Sequence, residues 1–184
     1  MSSKKEELMK KNIIILAAIL LSGTSLFVAC SKTDKNAGTS NLSVRLTDAP
    51  TAFEEVNVDI REVRVKFSDD SLSSNGWVTL NTFPGIYRLL DLQNGVDTLL
   101  ATGAFPFQTV KEIRFILGPN NTIKDAGVVY PLTVPSGSES GLKLKISKDL
   151  NETLETIIID FDAALSVKKE GTGDYKLRPV LRIK

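Results

Sequence analysis

Apolar and polar residues alternate in short runs along most of this chain. Residues 41–47 place leucine or valine at every second position, and residues 142–146 alternate leucine or isoleucine with Lys143 and Lys145. A period of two residues is that of a β-strand with one buried face, so both lysines are predicted to face water.

The run over residues 56–67 keeps this period but changes phase once. Its apolar series stops at Ile60, is interrupted by Arg61 and Glu62, and resumes at Val63. An extra residue in one strand of a pair restores a common inward face, so the sequence predicts a β-bulge near Arg61.

Further short strands are predicted between turn signals, over residues 77–80, 86–92, 109–117, 128–134, 155–162 and 175–183. Residues 96–101 fit either a strand or a helical turn. Eight or nine short strands without a long helical pattern are typical of an all-β sandwich or barrel. We expect a two-sheet antiparallel β-sandwich of immunoglobulin-like or transthyretin-like type over residues 41–184.

The first 29 residues have a different pattern. Four lysines among the first eleven residues precede an apolar run over residues 13–21, and Ser22-Gly23-Thr24-Ser25 then interrupts it. Nine apolar residues are too few for a transmembrane helix, which needs about 20. The order of charged and apolar segments predicts a signal peptide over residues 1–29.

Cys30 is the only cysteine of the chain and follows Leu26-Phe27-Val28-Ala29. This stretch resembles the lipobox of bacterial lipoproteins, with Phe27 where leucine is usual. The resemblance implies cleavage before Cys30, a diacylglyceryl group on its thiol and an acylated new amino terminus. The alternative is an ordinary secretory signal with an incidental cysteine.

The residues after Cys30 extend the lipoprotein interpretation. Residues 31–40 are small and polar without periodicity, which predicts a flexible tether over residues 30–40. Ser31 resembles the residue found in lipoproteins sorted to the outer membrane. We therefore expect a lipid-anchored protein of the cell envelope, attached to the outer membrane, with the periplasmic or surface side left open.

Composition restricts the function. Between residues 30 and 184 acidic residues outnumber basic ones by one, and the chain has no histidine. Near-neutral charge without a basic block argues against a nucleic-acid partner. The absence of histidine removes the commonest general base and the commonest metal ligand. The sequence thus favours a protein that is not an enzyme and has no cofactor beyond the covalent lipid on Cys30.

Several short motifs, in a fixed order, resemble the bacterial family known as domain of unknown function 4382. They are Leu46-Thr47-Asp48-Ala49-Pro50, Val56-Asn57-Val58, Val63-Arg64-Val65, Leu89-Leu90-Asp91-Leu92 with Gly95, Pro135-Ser136-Gly137 before Gly141-Leu142-Lys143-Leu144, and Asp160-Phe161-Asp162-Ala163 with Leu177-Arg178-Pro179-Val180. The resemblance covers nearly all of residues 41–184. It implies a secreted or lipid-anchored β-sandwich without an established activity. Lys66 departs from the histidine expected there in many members.

Three carboxylates are the candidates for site chemistry. Asp160 and Asp162 are two apart on one strand, and with Asp48 they could supply oxygen ligands to calcium. No Asp-x-Asp-x-Asp-Gly loop supports a metal site, and aspartates at strand ends commonly bind turn amides. A structural role is therefore favoured over a metal site, and a glycosidase pair is the third interpretation.

Aromatic and basic residues provide the candidates for ligand binding. Trp77, Tyr87, Tyr130 and Tyr175 could form a platform for sugar rings. Core packing is the favoured interpretation for Trp77, although alternation groups Trp77 with Thr79 on the outward face.

The basic positions Arg64, Lys66, Lys143 and Lys145 are most simply solvated strand faces. They would form a patch for anionic polymers only if their strands were neighbours. The leading hypothesis is a binding module for a glycan or another envelope polymer. The alternative is a structural or assembly subunit that joins an envelope protein through an exposed strand edge, and a small hydrolase is the third.

Overall fold

A computed structural model describes residues 38–67, 76–135, 141–171 and 173–184 of the chain. The predicted signal peptide, Cys30 and nearly all of the predicted tether lie outside the described residues. Within the described ranges, no helix is long and apolar enough to cross a membrane.

The described residues form fourteen β-strands. They are β1 (Thr39–Thr47), β2 (Glu55–Phe67), β3 (Trp77–Thr79), β4 (Asn81–Thr82), β5 (Gly85–Arg88), β6 (Thr98–Pro106), β7 (Gln108–Leu117), β8 (Thr122–Asp125), β9 (Val128–Thr133), β10 (Leu142–Leu150), β11 (Leu154–Phe161), β12 (Val167–Lys169), β13 (Tyr175–Leu177) and β14 (Leu181–Ile183). A 3₁₀ helix, Leu89–Leu92, follows β5, and one short α-helix, α1 (Ala163–Ser166), follows β11.

The strands make two sheets, which confirms the all-β, sandwich-like prediction. Sheet I has the order β14-β11-β1-β6-β4, and sheet II has the order β10-β7-β2-β8-β9-β13-β12 with β3 and β5 also paired to β2. The prediction that all strands are antiparallel is wrong, because β1 pairs β11 in parallel and β9 pairs β13 in parallel. Alternation shows which face of a strand is buried but not the direction of its neighbour.

The predicted bulge is present in β2. Ile60 pairs Leu117 and Glu62 pairs Ile116, so the register shifts at the residue between Ile60 and Glu62, which is Arg61. Arg61 is exposed, whereas Ile60 and Val63 are both fully buried. The extra residue thus lets one strand of 13 residues keep its apolar side chains on the core face.

The core lies between the two sheets and consists of the inward residues of the long strands. Val44 and Ile159 from sheet I and Val65 and Phe115 from sheet II are completely buried. Burying one such side chain stabilises the fold by about 1.5–3 kcal/mol.

Several predicted strand boundaries differ from those of the structure. β1 begins at Thr39, inside the predicted tether, and Ser40 is buried. The predicted strand over residues 86–92 ends at Arg88, because Leu89 and Leu92 are both buried on one side of a 3₁₀ helix with three residues per turn. In the segment over residues 96–101, which fitted either a strand or a helical turn, residues 98–101 belong to β6, which continues to Pro106.

The last predicted strand, over residues 175–183, is two strands. β13 belongs to sheet II and β14 to sheet I, so the chain crosses between the sheets at Arg178-Pro179-Val180. Pro179 has no amide hydrogen for a ladder, which favours a break at this position.

Candidate functional site

Four adjacent strands of sheet II, in the order β10-β7-β2-β3, bring the basic residues of the outer face together. Val63 and Val65 on β2 are fully buried, so Arg64 between them points away from the core. Cross-strand pairing aligns Arg64 with Arg114 of β7, and Arg114 with Lys143 of β10. Three cationic side chains therefore stand side by side on three neighbouring strands.

A second row lies next to the first. Lys145 of β10 pairs Glu112 of β7, Glu112 pairs Lys66 of β2, and Lys66 pairs Trp77 of β3. We call the five cations of both rows the basic face: Arg64, Lys66, Arg114, Lys143 and Lys145. The predicted positions on β2 and β10 are separated by one strand, β7, and Arg114 of β7 lies between them.

Arg114 is the centre of the basic face. Its guanidinium carbon lies 3.9 Å from the centroid of the Trp77 ring, a cation–π contact. Because Trp77 is on β3 and Arg114 on β7, the arginine side chain reaches across β2. Partial burial lowers the pKa of Arg114, the nearby charge of Arg64 lowers it further, and Glu112 opposes both. The Nε atom of Arg114 is buried and lacks a hydrogen-bond partner among the described residues.

The two carboxylates on this face do not neutralise it. Glu62 forms an ion pair with Arg64 at 2.6 Å between Nη2 and Oε2, and Glu112 stands between Lys145 and Lys66. Neither of these lysines, nor Lys143, makes an ion pair with another residue in the described ranges. Among the described residues of this face, the five cations exceed the two carboxylates by three positive charges.

The structure places Trp77 at the margin of this face and outside the core. Trp77 is half-buried, Val78 packs against the core and Thr79 is exposed. The alternation pattern predicted this orientation, and the favoured interpretation of Trp77 as a core residue is wrong.

The tyrosines do not join Trp77 in one platform. Tyr87 and Tyr130 are half-buried against the core from the inner side of sheet II, and Tyr175 is only 2% exposed. The Tyr130 and Tyr175 rings pack at 5.0 Å between centroids. Desolvation raises the pKa of Tyr87, whose hydroxyl donates to the carbonyl oxygen of Phe83.

Asp48 and Asp162 hold backbone amides at the junction of β1, β11 and α1. Asp48 is 1% exposed, and its Oδ1 accepts a hydrogen bond from the Ala163 amide at 2.9 Å. Its Oδ2 accepts from the Gln93 side chain at 3.1 Å. Asp162 is the N-cap of α1, because its Oδ1 accepts from the Leu165 amide at 2.9 Å.

Asp160 lies beside Asp48 and lacks a comparable partner. Asp160 is 8% exposed, and its Oδ1 has no hydrogen-bond partner among the described residues. Burial raises the pKa of Asp48, and the charge of Asp160 adds to that shift, against the hydrogen bonds from Ala163 and Gln93. The described ranges contain no group of three or more acidic, histidine or cysteine side chains placed to hold a metal ion.

The family model described as Domain of unknown function (DUF4382) matches residues 39–179. The chain belongs to this family. No curated protein and no solved structure matches the sequence. The DUF4382 match begins at the first residue of β1 and includes every residue of the basic face.

Two groups of DUF4382 motifs have separate places in the fold. Val63-Arg64-Val65 and Gly141-Leu142-Lys143-Leu144 contribute two strands of the basic face. Leu46-Thr47-Asp48-Ala49-Pro50 and Asp160-Phe161-Asp162-Ala163 meet at the buried aspartates. Lys66, where the resemblance led us to expect histidine, adds a cationic side chain to the basic face.

Sequence reasoning missed Arg114, the central residue of the face. The signal was present, because Ile113 and Phe115 are apolar and Arg114 between them must point outward. What alternation could not show is that β7 lies between β2 and β10, which makes Arg114 the link between their basic residues.

Proposed function

We propose that this DUF4382 domain is a binding module for acidic polysaccharides of the cell envelope, carried on a lipid anchor at Cys30. The observation that carries the proposal is the register of β10, β7, β2 and β3, which aligns five cations and Trp77 on one open sheet face.

The dimensions of the basic face suit an extended polymer. Neighbouring strands are about 4.8 Å apart, so four strands span roughly 14 Å across each row. An extended chain crossing the strands would meet a cationic side chain on β10 and again on β2. Such spacing favours a ligand with charges repeated along its length over a single small anion.

The chemistry of the face favours carboxylate or sulfate groups. A guanidinium offers parallel donors that match either group, and a charge-assisted hydrogen bond is stronger than a neutral one. The Nε of Arg114 is buried without a hydrogen-bond partner among the described residues, and the guanidinium packs against the indole of Trp77. We assign Trp77 the role of holding Arg114 in place, so that the guanidinium is ordered before the ligand arrives.

The lipid anchor is supported by the sequence around Cys30, which resembles a lipobox after a signal peptide. Attachment to the outer membrane would keep the domain next to envelope polysaccharides. A non-enzymatic role is supported by the lack of histidine in the whole chain and by the two aspartates whose oxygens hold Ala163 and Leu165 amides.

The test is a binding survey on the purified full-length protein. Immobilised polygalacturonate and heparin serve as carboxylated and sulfated probes, dextran is the neutral control, and vesicles with and without anionic lipid test a membrane surface. We expect binding to the acidic polysaccharides, weakened by added salt, and none to dextran. Binding to dextran at equal strength, or to anionic vesicles alone, would contradict the proposal.

A further inference from the structure

β10 is an unpaired edge of sheet II within the described residues. Its nine residues, Leu142–Leu150, pair with β7 along one side, and no described strand pairs with the other. The other edge strands are shorter, since β4 has two residues and β12 and β14 have three each. A long edge presents a row of backbone donors and acceptors to an incoming strand.

The two faces of this edge differ in chemistry. Lys143 and Lys145 are exposed on the outer face, whereas Leu142 and Leu144 are half-buried on the inner one. A cleft of about 460 Å³ lies along the inner side, between residues 141–144 and residues 179–181. The opposite wall of this cleft is apolar and leads into β14, the edge strand of sheet I.

We propose that the β10 edge accepts an extended segment of another protein in which acidic and apolar residues alternate. Backbone hydrogen bonds to β10 would supply affinity, as in other cases of strand addition. Because side chains of a strand point alternately to the two faces, the acidic residues would lie beside Lys143 and Lys145. The apolar residues would enter the cleft beside Leu142 and Leu144.

A second copy of this chain is a poorer occupant than an acidic strand. Pairing of two β10 edges would bring Lys143 and Lys145 of one chain opposite the same lysines of the other. Like charges directly opposite each other destabilise a strand pair, and edge lysines are a common protection against self-association. The same lysines favour a partner of opposite charge, so the charge pattern selects a different protein.

The experiment titrates purified full-length protein into a fluorescent eight-residue peptide that alternates glutamate with valine, followed by fluorescence anisotropy. One control peptide has the same composition with its glutamates grouped together. Another is the alternating peptide with every backbone amide methylated, which removes the donors needed for pairing. We expect the alternating peptide to bind at least about tenfold more tightly than either control. Equal binding of the grouped peptide, or no binding of any peptide, would overturn the proposal.

Reversing the charges on the β10 edge provides a second test of strand addition. Lys143→Glu together with Lys145→Glu should transfer the preference to a peptide alternating lysine with valine, and an unchanged preference would overturn strand addition at β10. Lys66→Gln removes a charge on β2, two strands away from the edge, and should leave peptide affinity unchanged. Because Lys66 is one of the five cations of the basic face, the same change is expected to weaken polysaccharide binding, so the two proposals can fail separately.

Discussion

Arg114 lies over the ring of Trp77, with 3.9 Å between its guanidinium carbon and the ring centroid. The two residues come from strands on opposite sides of β2. Their contact fixes the arginine that links the cations of β2 with those of β10. The basic face is therefore ordered at its centre, with the lysine side chains of β2 and β10 around it.

Replacing Trp77 tests this arrangement. Because Trp77 is half-buried and outside the core, Trp77→Ala should lower the free energy of unfolding by only about 1 kcal/mol, the size of a cation–π contact. Leu80→Ala, at a core residue three positions away, should cost about 2–5 kcal/mol. Urea denaturation of both variants measures the difference. A loss of several kcal/mol for Trp77→Ala would show that the ring belongs to the core.

The predicted anchor is tested at Cys30. Its thiol is the only one in the chain, so Cys30→Ala removes the attachment point for diacylglycerol. We expect the variant to leave the membrane pellet for the soluble fraction or to retain its signal peptide, as judged by fractionation and mass spectrometry. Cys30→Ser is the matched conservative variant and should behave in the same way. A cleaved Cys30→Ala chain that stays with the membrane would refute lipidation as the anchor.

The buried pair of Asp48 and Asp160 predicts a dependence of stability on pH. The pKa of Asp48 is raised in the folded state, so its protonated form is favoured by folding. Its contribution to stability is therefore fully present below the unfolded pKa of about 3.9 and is lost as pH rises through the higher folded value.

Asp48→Asn measures this contribution. The asparagine keeps an oxygen for the Ala163 amide but carries no charge. The stability of the wild-type protein relative to Asp48→Asn should fall as pH rises from about 3 toward neutrality. Unfolding free energies of both proteins, measured across that range, provide the check. If the wild type instead gained stability relative to Asp48→Asn as pH rises, the result would contradict the raised pKa of Asp48.

Removing metal ions with a chelator should leave the thermal stability of the domain unchanged. The Asp48 and Asp162 oxygens bind the Ala163 and Leu165 amides, so the structure does not require a cation to complete these contacts. We expect a chelator to shift the melting temperature by less than about 1 °C, because only a ligand that binds the folded state raises its stability. A drop of several degrees that calcium restores would assign a metal to the aspartates.

The sequence was most informative where a strand has one buried face. Alternation was sufficient to predict the all-β class and the bulge at Arg61, and it indicated the outward direction of Trp77 against the general preference for burial. It was not sufficient for strand order, because pairing partners far apart in the sequence leave no local pattern. The parallel pairing of β1 with β11 and the division of the last strand at Pro179 were missed for this reason.

The candidate site depended on the same missing information. Arg64, Lys66, Lys143 and Lys145 were each recognisable as exposed cations in the sequence, yet their grouping required the order β10-β7-β2. The tyrosines failed as a platform because Tyr87 and Tyr130 face the core, whereas Trp77 faces outward. A residue's face follows from its own strand, but a site follows from how several strands are arranged.

The affinity of the basic face for an acidic polysaccharide is the most direct measure of the proposed function. The Lys66→Gln and Arg114→Gln double variant removes two cations from the centre of the face. Lys168→Gln removes a charge from β12, at the far edge of sheet II, and is the control. In heparin titrations, the double variant should bind at least about tenfold more weakly than the wild type, while Lys168→Gln changes the affinity less than about twofold. Equal losses in the two variants, or no loss in either, would contradict binding at the basic face.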